Sequence, residues 1–238
     1  MYSFPKELES AGFDGMLLGY AIEGDPFTWV SKISEKESKF EYVVAVRPWT
    51  ISPQYVTQIL DSLNEISSPE KISINFVPGG LNQREKEFGG ILGEVNENSD
   101  QQYRREYLAD FMKEFHRLHT EKNKIFVSGH HPEIAEICNL YSDYIIMDYQ
   151  VYKQFDDINP SEKDLYLGID PIIDINPEKK RPYALVVSER ELYSIIKHLE
   201  ERGVKGIFIH RPILPEYFSN IKDFVKKYKN GYFEDNLV

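Results

Sequence analysis

Residues Tyr42–Pro53, YVVAVRPWTISP, pass from an apolar strand pattern to a polar turn and then to a helix start. Tyr42 and the four apolar residues after it predict a strand that is buried on both faces, as in parallel sheets. The strand should end at Arg47-Pro48, because proline has no N–H to donate to a β-ladder. Ser52-Pro53 has the form of an N-cap and a first-turn proline. Arg47 and Trp49 therefore follow the carboxyl end of a buried strand, which is where α/β barrels carry their active sites.

The alternation of strand and helix continues along the chain. Apolar runs predict strands at 15–20, 41–46, 71–77, 125–127, 144–147, 165–175 and 206–209. Amphipathic periodicity predicts helices at 6–12, 26–34, 53–66, 103–119, 132–141, 189–202 and 215–227. Repeated βα units imply a parallel sheet, either a closed barrel or an open doubly wound sheet. The first helix begins almost at Met1, so we count seven strands rather than the eight of a complete barrel, in one domain over residues 1–238.

Composition excludes several classes of protein. The net charge of −11 and the absence of a Lys/Arg-rich block disfavour nucleic acid as a partner. The single cysteine, Cys138, rules out an internal disulfide and a cysteine-based metal cluster. The pair His130-His131 lacks a third ligand at a recognisable spacing, so we expect no metal. No signal peptide or long apolar run is visible, which predicts a cytoplasmic protein that does not enter a membrane.

Five segments, taken in chain order, resemble the luciferase-like flavin monooxygenases, in particular the branch that includes alkanesulfonate monooxygenase. They are AGFDGMLLG from Ala11, RPWTISP from Arg47 (read as RPxxxSP), SINFVPGG from Ser73, IFVSGHHPEIAEICNLYSDYIIM from Ile125 and GVKGIFIHRPILPEYFSNIKDFV from Gly203. The resemblance covers most of the chain. It favours a TIM-type (β/α) barrel over an open sheet and marks this chain as a shortened, incomplete member, which would pair as a homodimer or with a homologous subunit. We expect Trp29, Tyr55 and Ile59 to anchor that interface.

The resemblance implies flavin mononucleotide, FMN, as the cofactor, in reduced form from a separate reductase. Gly129, His130 and His131 join a strand to a helix, so their backbone N–H groups could take the phosphate. Tyr103 and Arg105 lie where relatives place a phosphate-binding Arg-Tyr pair. Asn75 matches an asparagine near the flavin ring, with Arg47 beside it, and Gly79 would permit close backbone approach.

Each of these residues also has a structural interpretation. His130-His131 can cap a turn, Gly79-Gly80 can be only a turn, and Arg104-Arg105 can be a solvated helix start. Arg47 can pair with a core carboxylate, and Trp49 can be an interface aromatic. Cys138 fits core packing.

Catalytic positions of the family are altered here. The strand predicted at 15–20 corresponds to the second strand of the family, and residues 20–24 after it contain no cysteine. Asp170 and Ile172 stand where the family has Arg and His, and His210-Arg211-Pro212 replaces a Gly-Tyr-Pro turn. Asp170 and Asp174 would repel a sulfonate, so a neutral or cationic substrate is favoured. The resemblance implies a monooxygenase that uses reduced FMN and O2 on a small organic molecule. Alternatives are a non-catalytic flavin-binding or partner subunit, and an unrelated barrel hydrolase or isomerase that uses Asp148 and Asp170.

Overall fold

The computed structural model describes residues 4–19, 25–34, 39–79, 101–120, 123–154, 159–173, 184–209 and 215–236. The helices are α1 Phe4–Ser10, α2 Pro26–Ile33, α3 Pro53–Ile66, α4 Gln101–Leu118, α5 Pro132–Tyr141, α6 Tyr149–Gln154, α7 Glu189–Glu201, α8 Pro215–Lys229 and α9 Tyr232–Asn236. The strands are β1 Gly15–Leu18, β2 Glu41–Val46, β3 Ile72–Phe76, β4 Ile125–Ser128, β5 Tyr144–Asp148, β6 Asp164–Ile169, β7 Pro171–Ile173, β8 Leu185–Val187 and β9 Gly206–Ile209. Short 3-10 turns lie at Pro48–Thr50 and Pro69–Lys71.

The chain divides into two compact units, which we call the Met16–Ile146 unit and the Asp164–Val238 unit. The first also includes Asn159–Lys163, and the second includes Met1–Gly15 and Met147–Ile158. In the described residues the main sheet has seven strands, of which β1-β2-β3-β4-β5 follow one another in that order and β6 lies beside β9. Strands β7 and β8 form a separate two-stranded sheet. The expectation of a single domain over the whole chain remains a prediction.

Strands β2, β3 and β4 are parallel and in a register that fixes which side chains share a face. Ala45 is opposite Asn75, which is opposite Phe126. Phe76, one residue further, packs against Phe111 and Phe115 of α4, with ring centroids 5.4 and 5.0 Å apart. Because side chains alternate along a strand, Asn75 points to the face opposite α4. The sheet thus has an apolar face under the helix and a polar residue on the other face.

Helix starts in the Met16–Ile146 unit follow the capping signals of the sequence. Ser52 caps α3, with its side chain accepting a hydrogen bond from the Tyr55 backbone N–H at 3.2 Å, and Pro53 occupies the first turn. Asp25 caps α2 in the same way, through the Thr28 N–H at 2.8 Å. A side-chain acceptor here satisfies an N–H that has no partner within the helix. The predicted break at Arg47-Pro48 and the helix start at Pro53 are confirmed.

The core of the Asp164–Val238 unit lies around β7 and helices α7 to α9. Its buried members, which pack as one cluster, are Ile173, Leu192, Ile196, Ile221, Phe224, Val225 and Phe233. Helix α7 begins with a reciprocal capping box in which Ser188 and Glu191 satisfy each other's backbone N–H groups. Apolar residues at helical spacing therefore bury one side of α7 and α8 against a short sheet.

The single strand predicted at 165–175 is wrong. The chain forms β6 up to Ile169 and then a second strand, β7, that begins at Pro171. Proline lacks the N–H that a continuous ladder would need at this position. The Asp170 carbonyl instead accepts a hydrogen bond from the Leu185 N–H at 2.8 Å, and β7 pairs with β8. Residues 174 and 175 lie outside the described part, and β8, α6 and α9 were not anticipated. The count of seven strands in the main sheet is confirmed.

Candidate functional site

Strands β2, β3 and β4 end at a common edge because they are parallel. The residues just after these strands are Arg47, Val77–Gly79 and Gly129–His131, and we call this region the β2–β4 edge. In α/β barrels and open parallel sheets, ligands bind outside the carboxyl ends of the strands. Five residues predicted to bind cofactor, Arg47, Gly79, Gly129, His130 and His131, lie at this edge.

Arg47 joins the end of β2 to the segment after β3. Its Nη1 donates hydrogen bonds to the carbonyl oxygens of Val77 and Gly79, each at 3.2 Å. Its guanidinium carbon lies 5.8 Å from the centre of the Trp49 ring. Gly79 therefore supplies a carbonyl acceptor to Arg47, and the Arg47 side chain is held in place by backbone groups.

Trp49 is a core residue with only 1% of its surface exposed, so the interface alternative for it is wrong. Its indole nitrogen is buried and has no hydrogen-bond partner among the described residues. The same is true of the Ser73 hydroxyl, which lies on the same face of β3 as Asn75. Buried donors in proteins are nearly always paired, so these two groups are exceptions among the described residues.

Asn75 and Ser128 bridge β3 and β4 on the face opposite α4. The Ser128 hydroxyl donates to Asn75 Oδ1 at 2.9 Å, and Asn75 is 2% exposed. Asn75 thus sits at the end of its strand, as predicted. Ser128 was missed by sequence reasoning, although a hydroxyl residue directly before Gly129 at a strand end is a recognisable signal.

The turn into α5 requires glycine at position 129. Gly129 has φ of 152°, and a Cβ built on it would lie 2.9 Å from Ile134 Cγ2. Side-chain-bearing residues rarely adopt this conformation. The Gly129 N–H donates to the Ile146 carbonyl at 2.9 Å, which ties the turn to β5. The backbone at the start of α5 is therefore held in one conformation.

His131 is the N-cap of α5, so the capping role considered for this histidine is confirmed. Its Nδ1 accepts a long hydrogen bond, 3.4 Å, from the Glu133 N–H. His130, just before it, is exposed. The first turn of the helix thus uses one of its own side chains to satisfy one of its free N–H groups.

Arg105 comes from α4 and reaches the start of α5. Its Nε lies 2.5 Å from Glu133 Oε2, and that same oxygen is 4.0 Å from His131 Nδ1. The Arg105 side chain is 15% exposed, so it is not the solvated helix residue that was the alternative. Tyr103 is half-buried in the first turn of α4. Glu133 was missed by sequence reasoning; an acidic residue in the first turn of a helix was its only signal, and that placement is common for reasons of the helix dipole alone.

Other predicted residues belong to other elements or lie outside the described part. Asp148 Oδ1 accepts a hydrogen bond from the Gln150 N–H at 2.8 Å, a helix-start role. Asp170 and Ile172 are buried. Residues 20–24, Gly80, Asp174 and 210–212 are among those not described. Cys138 is fully buried beside Ser142, and burial raises the pKa of its thiol, which confirms the core-packing interpretation.

The described residues contain neither a metal-ligand cluster nor a membrane-spanning helix. No group of three or more His, Cys, Asp or Glu side chains is placed to hold a metal ion there. No helix of that part of the chain is long and apolar enough to cross a membrane.

Comparisons with known proteins find similarity in structure only. No family model matches the sequence, and no curated protein matches it either. An F420-dependent secondary alcohol dehydrogenase, solved with an F420-acetone adduct, is 12% identical, with 95% of this chain and 92% of that chain covered and a TM-score of 0.68. The EDTA monooxygenase EmoA from Chelativorans sp. BNC1 is 11% identical over 97% and 86% of the two chains, with a TM-score of 0.72. The riboflavin lyase RcaE, solved with modified FMN and riboflavin, is 11% identical over 97% and 84%, with a TM-score of 0.68.

At such low identity these likenesses establish the fold and nothing finer. The chain shares the α/β, TIM-type barrel fold of these proteins, and in the described residues its main sheet has seven strands. The predicted fold class is therefore confirmed.

Proposed function

We propose that this protein binds reduced FMN and uses it with O2 to oxygenate a small organic molecule. The observation that carries the proposal is the meeting of Arg105, Asn75, Ser128 and the Gly129–His131 turn around the β2–β4 edge. The fold is shared with proteins whose names specify FMN or F420, which are both large phosphorylated cofactors with a flat ring. Such cofactors need a phosphate site and polar groups along a ring slot.

The phosphate end of the cofactor would lie between Arg105 and the start of α5. A helix start offers free backbone N–H groups, and an arginine adds charge-assisted hydrogen bonds. Arg105 is mostly buried and is held next to that helix start by Glu133. Gly129 keeps the turn in a conformation that few other residues would adopt. We include Tyr103, His130 and His131 in this part of the proposed site.

The ring end would lie against the strand ends at Arg47, Asn75 and Gly79. Arg47 is held by two carbonyls and Asn75 by Ser128, so both side chains are already oriented. The donors of Ser73 and Trp49, which have no partner among the described residues, are additional groups that a ring's polar edge could satisfy. When bound, reduced flavin would supply the oxygen-activating chemistry. The contribution of this chain would be to orient the ring and keep water from it.

Charge selects the substrate class in this proposal. Asp170, which stands where the resemblance expects an arginine, would repel an anionic substrate such as a sulfonate. We therefore propose a neutral or cationic organic substrate, with reduced flavin supplied by a separate reductase in the same compartment, the cytoplasm.

Flavin binding and oxygen uptake test the proposal. The purified protein should quench FMN fluorescence at micromolar concentration, and F420 should be titrated in parallel because one of the similar structures holds an adduct of it. With NADH and a flavin reductase, a neutral or cationic substrate should raise product formation above the level without the protein. No binding of FMN or F420 at millimolar concentration would contradict the proposal.

A non-catalytic flavin-binding or partner subunit is the second candidate. It is favoured by Ile172, a buried apolar residue where the resemblance expects a catalytic side chain. Flavin binding without any product from a broad substrate panel, together with stimulation of a homologous subunit, would support this alternative over the monooxygenase.

A further inference from the structure

Glu133 places a carboxylate beside the arginine that the proposed function assigns to the flavin phosphate. Its Oε2 lies 2.5 Å from Arg105 Nε and 4.0 Å from His131 Nδ1. Glu133 lies in the first turn of α5, where a bound phosphate would meet the backbone N–H groups. The start of this helix therefore carries an anionic side chain of its own, in addition to the His131 cap.

The exposure of the two partners is unequal. The Glu133 side chain is 47% exposed, whereas the Arg105 side chain is 15% exposed. The carboxylate of Glu133 is therefore more accessible to an anion from solvent than the guanidinium of Arg105. Like charges in one partly desolvated site repel each other, and the carboxylate also uses part of the arginine's hydrogen-bonding capacity.

The opposite role for Glu133 has a physical basis too. Only the Arg105 Nε is engaged by Glu133, so a carboxylate that fixes the guanidinium plane could point its two terminal nitrogens at a phosphate. The two roles predict changes of opposite sign when the charge is removed. A measurement of FMN affinity after removal of the Glu133 charge therefore distinguishes the two roles.

We propose that Glu133 is a specificity-determining residue that weakens binding of the flavin phosphate and so reduces the preference of the natural site for FMN over riboflavin. The inference rests on the proposed function, since it concerns the phosphate end of that same site. It follows from the exposed position of the carboxylate and its direct contact with Arg105.

The test compares Glu133→Gln with the natural protein for two ligands that differ only in the phosphate, FMN and riboflavin. Glutamine keeps the size of the side chain and an oxygen acceptor for Arg105 Nε while removing the charge. Glu136→Gln is the matched control, because it makes the same charge change at an exposed position of the same helix. Dissociation constants are measured by flavin fluorescence quenching, and circular dichroism verifies folding.

Glu133→Gln should bind FMN about tenfold more tightly, while riboflavin affinity changes less than about twofold. Glu136→Gln should leave both affinities unchanged. If the glutamine variant does not fold, Glu133→Ala removes the same charge and should shift the FMN affinity in the same direction.

Three results would overturn the inference while leaving flavin binding intact. They are weaker FMN binding in Glu133→Gln, which would assign Glu133 the orienting role; an equal change for both ligands; and an unchanged FMN affinity in Glu133→Gln. Failure of the natural protein and all variants to bind either flavin would instead overturn the proposed function, and the inference with it.

Discussion

Replacing Arg105 by glutamate is the sharpest perturbation of the proposed phosphate site. The side chain is 15% exposed and contacts Glu133 at the start of α5, so Arg105→Glu would place two carboxylates where the structure has an ion pair. If the flavin phosphate binds there, it loses a cationic donor and gains a repelling charge. Riboflavin, which has no phosphate, would lose neither interaction.

The expected loss of FMN affinity follows from the charge and burial of Arg105 and Glu133. A hydrogen bond to a charged group contributes about 1.5–3 kcal/mol. This corresponds to roughly a ten- to hundredfold loss of affinity, since about 1.4 kcal/mol is tenfold. Repulsion by the introduced carboxylate adds to this loss of affinity. Its contribution is reduced by dissolved salt and by the solvent that reaches the half-exposed side of Glu133. We therefore expect FMN binding to weaken at least about thirtyfold and riboflavin binding to change less than about threefold.

Fluorescence quenching titrations of both flavins measure these affinities. Arg117→Glu is the matched control, because Arg117 lies at the other end of α4, has a 66% exposed side chain and pairs only on the surface with Glu114. That variant should bind both flavins as the natural protein does. Equal losses for FMN and riboflavin in Arg105→Glu would show that Arg105 acts on folding or on the ring, and would refute the phosphate assignment.

Three further predictions concern stability, reactivity and assembly. Gly129→Ala should lower the free energy of unfolding, measured in urea, by about 2–4 kcal/mol, because a positive φ combines with a clash against the Ile134 side chain of α5. Gly203→Ala is the control: Gly203 has φ of 83°, but a Cβ there would meet no atom within 4 Å, so the loss should be only about 1 kcal/mol. Equal losses in the two variants would refute the clash. Cys138, buried with a raised thiol pKa, should react with a thiol reagent at pH 8 only as fast as the protein unfolds, and rapid reaction under native conditions would contradict its burial. We expect a dimer by light scattering at micromolar concentration, and Tyr55→Glu, at a 56% exposed aromatic on α3, should shift it towards monomer; a monomeric natural protein would refute this interface.

Local signals in the sequence were sufficient for the elements that build the main sheet. The apolar run before Arg47-Pro48 and the Ser52-Pro53 cap correctly located β2 and α3, because a strand end and a helix cap depend on groups only a few residues apart. The order of βα units also pointed to a parallel sheet with seven strands. Asn75 and the Gly129–His131 turn were placed at strand ends for the same reason.

Contacts between residues distant in sequence were decided by the tertiary structure. Periodicity does not show that LGIDPIIDI splits at Pro171, because the second half gains its partner only when β8 arrives beside it. Nor does it show that Glu133 approaches Arg105, 28 positions earlier, or that Ser128 donates to Asn75, 53 positions earlier. Such pairs form where packing of α4 and the parallel register bring separate strand and helix ends together. Local sequence patterns thus located the residues at the strand ends, whereas the charges and donors that face one another there depend on the folded chain.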